Sequence, residues 1–225
     1  MAKMKLRYGS EWQLLRLMGR HRNRFDAAVR KVVRADEIRW KDFRTTDDPV
    51  WRDAEWKGLD FLPKSNRARR EWEKLWPQTG NVQNWDALGK VTVDGEEEWL
   101  LVEAKAHLDE IKSSCGAKSK ESRAQIEEFF RVVKEALGVP EDADWMKPYY
   151  QYCNRLAMLE FLNTTGVPSR LLMVYFVGDW CGSSKRKCPD SAAGWKDALA
   201  EQNRHIGLPR RHPLSGRVHK LFLDV

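Results

Sequence analysis

Residues 84–107, reading NWDALGKVTVDGEEEWLLVEAKAH, constrain this chain more than any other stretch. Asp94-Gly95 is a preferred pair for a two-residue type I′ hairpin turn, and β-branched or apolar residues flank it on both sides. With those two residues as the loop, Val93 faces Glu96, and the same register carried outward sets Asp86 against Glu103. Side chains alternate along a strand, so Glu103 and Lys105 share a face while Ala104 points away. Two carboxylates held opposite each other repel unless something positive lies between them. A divalent cation with Lys105 beside it resolves that repulsion. Leu88 and Leu101 share the face, which puts the charges at the end of a buried surface and not out in solvent.

Length and charge set the outer bounds. A chain of 225 residues suits one domain, 1–225, with a full core. Hydrophobic residues make up 42%, an ordinary globular share, and 40 Lys+Arg against 33 Asp+Glu leave a net charge of +7. The sign of that excess favours a polyanionic partner. Eleven tryptophans is a high count; most are expected in the core, with others available to stack on bases. Cys115, Cys153, Cys181 and Cys188 show no C-x-x-C spacing, which argues against structural zinc. Cys181 and Cys188 flank a loop and can meet, or stay as free thiols. The start, MAKMKLRYGS, has no signal-peptide apolar core, and no apolar run approaches the ~20 residues that span a bilayer. A cytoplasmic protein with no membrane partner is expected.

Helical periodicity runs from Ser10 to Val33, with Trp12, Leu15, Leu17, Met18, Phe25 and Val29 on one side and a basic opposite face. Residues 58–62, GLDFL, read as a short strand. Ser65 to Trp76 reads as a capped helix whose Arg67, Arg69 and Arg70 sit poorly with the helix dipole and invite an anionic partner. Residues 107–120 read as a mobile polar loop, and 122–137 as an amphipathic helix with Ile126, Phe129, Phe130, Val133 and Leu137 buried. A second long helix is expected over 144–165, apolar on one side. Residues 170–177, RLLMVYFV, look like a strand buried on both faces. A basic loop at 183–187, a helix over 195–206 and a last strand over 218–225 complete the chain. This order predicts one mixed α/β sandwich.

The chemistry follows from the donor set. Asp86 and Glu103 supply hard oxygen ligands that suit Mg²⁺ or Mn²⁺, and the Ala104 carbonyl between two inward side chains is a further candidate ligand. Lys105 is a compact cation able to steady charge on a phosphoryl group or orient a water. Glu11 is a lone acid on a basic first helix, either a metal ligand or a plain partner for the helix dipole. His107 continues the strand face beyond Lys105, as a phosphate contact or a rim histidine. No Ser-His or Cys-His pair suggests acyl transfer.

At Asp86 and Glu103-Ala104-Lys105 the sequence resembles the PD-(D/E)xK nuclease superfamily, the restriction-endonuclease-like fold. The resemblance covers about residues 10–178, leaves 179–225 as a C-terminal extension, and departs at Trp85, where the family's motif has proline. It implies a three-layer sandwich with a central mixed sheet flanked by helices. By position it makes Asp86 and Glu103 metal-binding, Lys105 catalytic and Glu11 an added acid. It also asks for a glutamine on the following helix, Gln151 or Gln125. The implied activity is Mg²⁺- or Mn²⁺-dependent hydrolysis of nucleic acid, with DNA the expected substrate. Arg67, Arg69, Arg70, His107, Lys118, Lys120 and Arg123 would then contact the polymer, and a double-strand cut would depend on the oligomeric state, a homodimer being one option. Two alternatives stand beside this reading. One is a catalytically silent nucleic-acid-binding module, the other a structural or partner-binding protein whose charged cluster is an ion-pair network.

Overall fold

The computed structural model describes residues 8–41, 55–78, 82–180 and 188–225. The Cys181 thiol and the basic loop expected at 183–187 lie outside those residues.

The hairpin has the register its turn dictates. Strand β4 (Ala87–Val93) pairs antiparallel with β5 (Glu96–Lys105), from Val93 against Glu96 to Ala87 against Val102. Asp94 and Gly95 have φ of 52° and 84°, the two positive values that a type I′ turn requires. Glycine holds such a φ without strain, whereas a Cβ makes it costly. Gly95→Ala is therefore expected to lower stability by about 1–2 kcal/mol, measured by urea unfolding.

Around this hairpin the sheet grows on both sides. β1 (Glu37–Trp40) pairs antiparallel with β4, and β6 (Ser169–Val177) runs parallel to β5. β7 (Val218–Asp224), from the C-terminal stretch, runs parallel to β6. The five-stranded mixed sheet has the order β1-β4-β5-β6-β7. A two-residue pair, β2 (Trp56–Lys57) with β3 (Asn84–Trp85), forms a separate ladder just before Asp86.

Helices cover both faces, the layout of a three-layer α/β sandwich. Helices α1 (Ser10–Gly19) and α2 (Arg22–Val33) lay Leu14, Leu17, Phe25 and Val29 on the face of Leu100, Val102, Leu172 and Val174. On the other face lie α3 (Arg67–Leu75), α4 (Lys120–Leu137), α5 (Tyr150–Thr164) and α6 (Lys196–His205). Leu88, Leu101 and Tyr175 belong to that second core, whose centre is aromatic. Trp72 stacks on Trp76 at 4.9 Å, and the edge of Phe129 meets both.

Several expected elements change. The first helix breaks after Gly19 into two that meet at Arg20-His21. Residues 58–62 form a turn, with the short strand just upstream at Trp56–Lys57. The stretch after β5 is less of a loop than expected: a 3-10 turn at Leu108–Ile111 and a bridge from Ser113 to Tyr149 organise it. Helix α5 starts only at Tyr150 and is not apolar on one side alone. Every residue from Tyr152 to Leu162 is buried, because sheet and neighbouring helices enclose it all round.

Candidate functional site

The chain passes from the β3 ladder to β4 at Asp86. Its N–H donates to the Val102 carbonyl at 3.1 Å, and its Oδ2 accepts from the Ala104 N–H at 2.7 Å. This backbone clamp on β5 holds the Asp86 carboxylate beside Glu103. The sheet pairing itself ends one residue short, at Ala87–Val102.

Glu103 is 1% exposed and fully ion-paired. Its Oε1 takes the Lys105 Nζ at 2.5 Å and its Oε2 takes the Arg155 Nε at 2.8 Å. Lys105 also donates to Gln151 Oε1 at 2.8 Å. Gln151 in turn is fixed at its backbone, where its N–H donates to Ser113 Oγ at 2.8 Å. The bridge from Ser113 to Tyr149 therefore places the first turn of α5 against the end of β5.

Arg155 is the residue that reading the sequence missed. It lies one helical turn after Gln151 on the same face of α5. Its Nη2 donates to the Asn84 carbonyl at 2.5 Å, and its guanidinium lies 4.9 Å from the Trp85 ring. Trp85, standing where the resemblance has proline, is fully buried and donates its indole N–H to the Gly58 carbonyl at 2.9 Å. It serves as the floor under Arg155. The available signal was an arginine inside the run CNRLAMLEFL, which is apolar apart from Asn154, Arg155 and Glu160.

A second acid approaches from an unexpected place. Glu11 lies exposed in the first turn of α1. Glu110, on the 3-10 turn, accepts from the Ala106 N–H at 2.6 Å and from the Ser10 hydroxyl, and its charge acts on Lys105. His107 is buried, with Nε2 3.9 Å from Glu110 Oε2, its ring stacked on Tyr8 and its Nδ1 without a hydrogen-bond partner.

Charge is unevenly shared in this cluster. Burial, and then the Glu103 carboxylate, push the Asp86 carboxyl up to about 8, against the pull of Lys105, the Ala104 N–H and Arg155. Burial opposes ionisation of Glu103 as well, yet Arg155 and Lys105 outweigh it and bring that carboxyl below its ordinary value. Lys105 rises above the ordinary lysine value because Glu103 and Asp86 overcome its burial. Of the facing pair, Glu103 is the carboxyl held ionised, between Lys105 and Arg155, and Asp86 is the one whose protonated form burial favours. Of the two carboxyls, Asp86 is the one short of positive charge.

The remaining candidates lie elsewhere. Gln125 donates to the Lys74 carbonyl at 3.0 Å, between α4 and α3, and takes no part in the cluster. Arg69 is occupied by Asp60 at 2.7 Å, Glu73 at 3.3 Å and the Leu62 carbonyl at 2.8 Å. Arg67 pairs with Glu71 and Arg70 with the Ser65 carbonyl, so the basic start of α3 is balanced largely within the chain. Lys118 and Lys120 are exposed at the start of α4, and Arg123 pairs with Glu127 at 3.0 Å. Among the described residues no group of three His, Cys, Asp or Glu side chains is arranged as a metal cage. Nor is any helix among them long and apolar enough to cross a membrane.

Comparison with protein-family models, with curated proteins and with solved structures found no match for this chain.

Proposed function

We propose that this protein is a metal-dependent nuclease of the PD-(D/E)xK kind, with the restriction-endonuclease-like fold, acting on nucleic acid and on DNA first. The observation that carries the reading is the convergence of Asp86, Glu103, Lys105 and Gln151 at the C-terminal end of β5, with the Asp86 carboxyl raised to about 8. A buried carboxyl in that state is one that a cation would ionise. Mg²⁺ or Mn²⁺ held by Asp86 and Glu103, with the Ala104 carbonyl, would polarise the phosphoryl group and acidify a bound water. Each carboxylate oxygen has two lone pairs, so the pairs to Lys105 and Arg155 leave Glu103 acceptor capacity. Lys105, held by Glu103 and Gln151, stays protonated. Its part is to place a fixed positive charge where the phosphodiester gains negative charge, not to take a proton. Arg155 orients Glu103, and the +7 net charge favours approach of a polyanion.

One observation favours the structural alternative, in which the charged cluster is an ion-pair network. Both oxygens of Glu103 are already ion-paired, as in a purely structural network. The test is cleavage of plasmid, single-stranded DNA and RNA with Mg²⁺ or Mn²⁺, comparing wild type with Asp86→Ala and Lys105→Ala. Each substitution is expected to slow cleavage at least ~100-fold, the scale for removing one preorganised charge-stabilising group. Cleavage surviving both overturns the assignment. Salt-sensitive binding without cleavage would identify the silent module.

A further inference from the structure

A groove of about 360 Å³ runs along α4 between α3 and α5, away from the charged cluster. Its walls are apolar, with Leu75, Phe129, Val132, Val133 and Phe161 among the lining residues. The bond from Gln125 to the Lys74 carbonyl ties α3 to α4 beside it. Two features separate it from an ordinary surface crease. Leu75 and Val132 are 46% and 50% exposed, two of the three large hydrophobics the described surface leaves open. The other feature is Glu160, which lines the groove and is only 8% exposed. Among the described residues no cation or hydrogen-bond donor reaches its carboxylate. Lys74, the cation of the lining, makes no ion pair with it, and the Glu128 carboxylate is taken by Arg131 at 2.7 Å.

Glu160 has no cation partner among the described residues, and burial raises its carboxyl above its ordinary value. The cost of ionising it is offset when a cation is delivered together with apolar surface that covers Leu75 and Val132. A volume of this size lies within the range of small-molecule clefts, which are mostly apolar with a few polar groups that fix orientation. The geometry points to a binding site for a small amphiphilic cation, an apolar chain or ring bearing one protonated amine, with Glu160 as its counter-ion. Charge complementarity selects this occupant over a fatty acid or a neutral lipid chain. The site owes nothing to the nuclease reading and stands or falls without it.

The probe is octylamine, titrated into the full chain at pH 7 and followed by methyl NMR and calorimetry. Saturable binding is expected, with the largest shifts at Leu75, Val132 and Val133. Glu160→Gln keeps the shape and removes the charge, and is expected to weaken binding at least tenfold. Val132→Arg, at a half-exposed position that tolerates a longer side chain, sets a fixed cation in the groove and is expected to weaken it similarly. Octanoate and octanol are expected to bind at least tenfold more weakly than octylamine. The proposal is overturned if either control binds as well as the amine, if Glu160→Gln leaves affinity unchanged, or if no saturable shift appears by millimolar ligand. It is overturned equally if sedimentation shows the groove closed by a second copy of the chain that octylamine does not displace.

Discussion

Arg155→Ala is expected to cost this protein about 3–5 kcal/mol of folding stability, the scale for removing one partner of a buried ion pair. The substitution leaves Glu103, 1% exposed, with Lys105 as its remaining cation. It also strips the Asn84 carbonyl of its donor and uncovers the Trp85 ring. Arg155→Lys restores the charge but not the reach to both Glu103 and Asn84, and should recover only part of the loss. Urea unfolding in EDTA measures both. Pairing Arg155→Met with Glu103→Gln removes both charges together and is expected to be milder than Arg155→Ala alone. A loss below about 1 kcal/mol for the alanine variant would mean that Arg155 is solvated and not the brace of the site.

Asp86→Asn should do the opposite to the metal-free protein. The folded carboxyl titrates near 8 and the unfolded one near its ordinary 3.8. A raised value means that the contribution of Asp86 to stability is fully present below about pH 4, declines as pH rises, and levels off above about 8. Asparagine keeps an acceptor for the Ala104 N–H and carries no charge to bury. Its advantage over wild type is therefore expected to grow from pH 4 to 8, reaching roughly 2–5 kcal/mol at pH 9. Thermal unfolding in EDTA across that range is the measurement, and a wild-type protein that gains stability relative to the variant as pH rises would refute it. Glu103 works in the other direction. Its lowered value contributes stability that is lost as pH falls below its ordinary range of about 4.5. With Mn²⁺ present the Asp86→Asn advantage should shrink or invert, because a ligand that binds the native state stabilises it.

How much of this could be read beforehand depended on the range of the forces. The β4–β5 register was legible because Asp94-Gly95 fixes the turn and alternation fixes the faces, both local effects. The buried strand β6 was legible from its unbroken apolar run. The break between α1 and α2 carried a local mark as well, at Gly19, but the apolar spacing on either side reads through it. β1 was not legible: four residues at a sheet edge have no periodicity to count, and Trp40 earns its burial only against Phe25 and the Asp26 carboxylate. Arg155 and Glu110 were missed for a related reason. Their partners are set by how α5 and the 3-10 turn dock on the sheet, so the 52-residue separation of Arg155 from Glu103 leaves no spacing rule to apply. Gln151 was reachable only through the resemblance. The same docking chose it over Gln125, whose amide joins α3 to α4.

The sheet changes character at β5, which pairs antiparallel with β4 on one side and parallel with β6 on the other. Glu103 and Lys105 both lie in the parallel ladder, opposite Met173 and Tyr175. A slip of one residue would turn both side chains toward the face of α1 and α2, and it would have to break two ladders of unlike geometry together. β5 is thus a ruler locked from both edges. The spacing between carboxylate and ammonium is set by the pleat of the sheet, and ligands or substitutions can alter the charge at this site far more readily than its geometry.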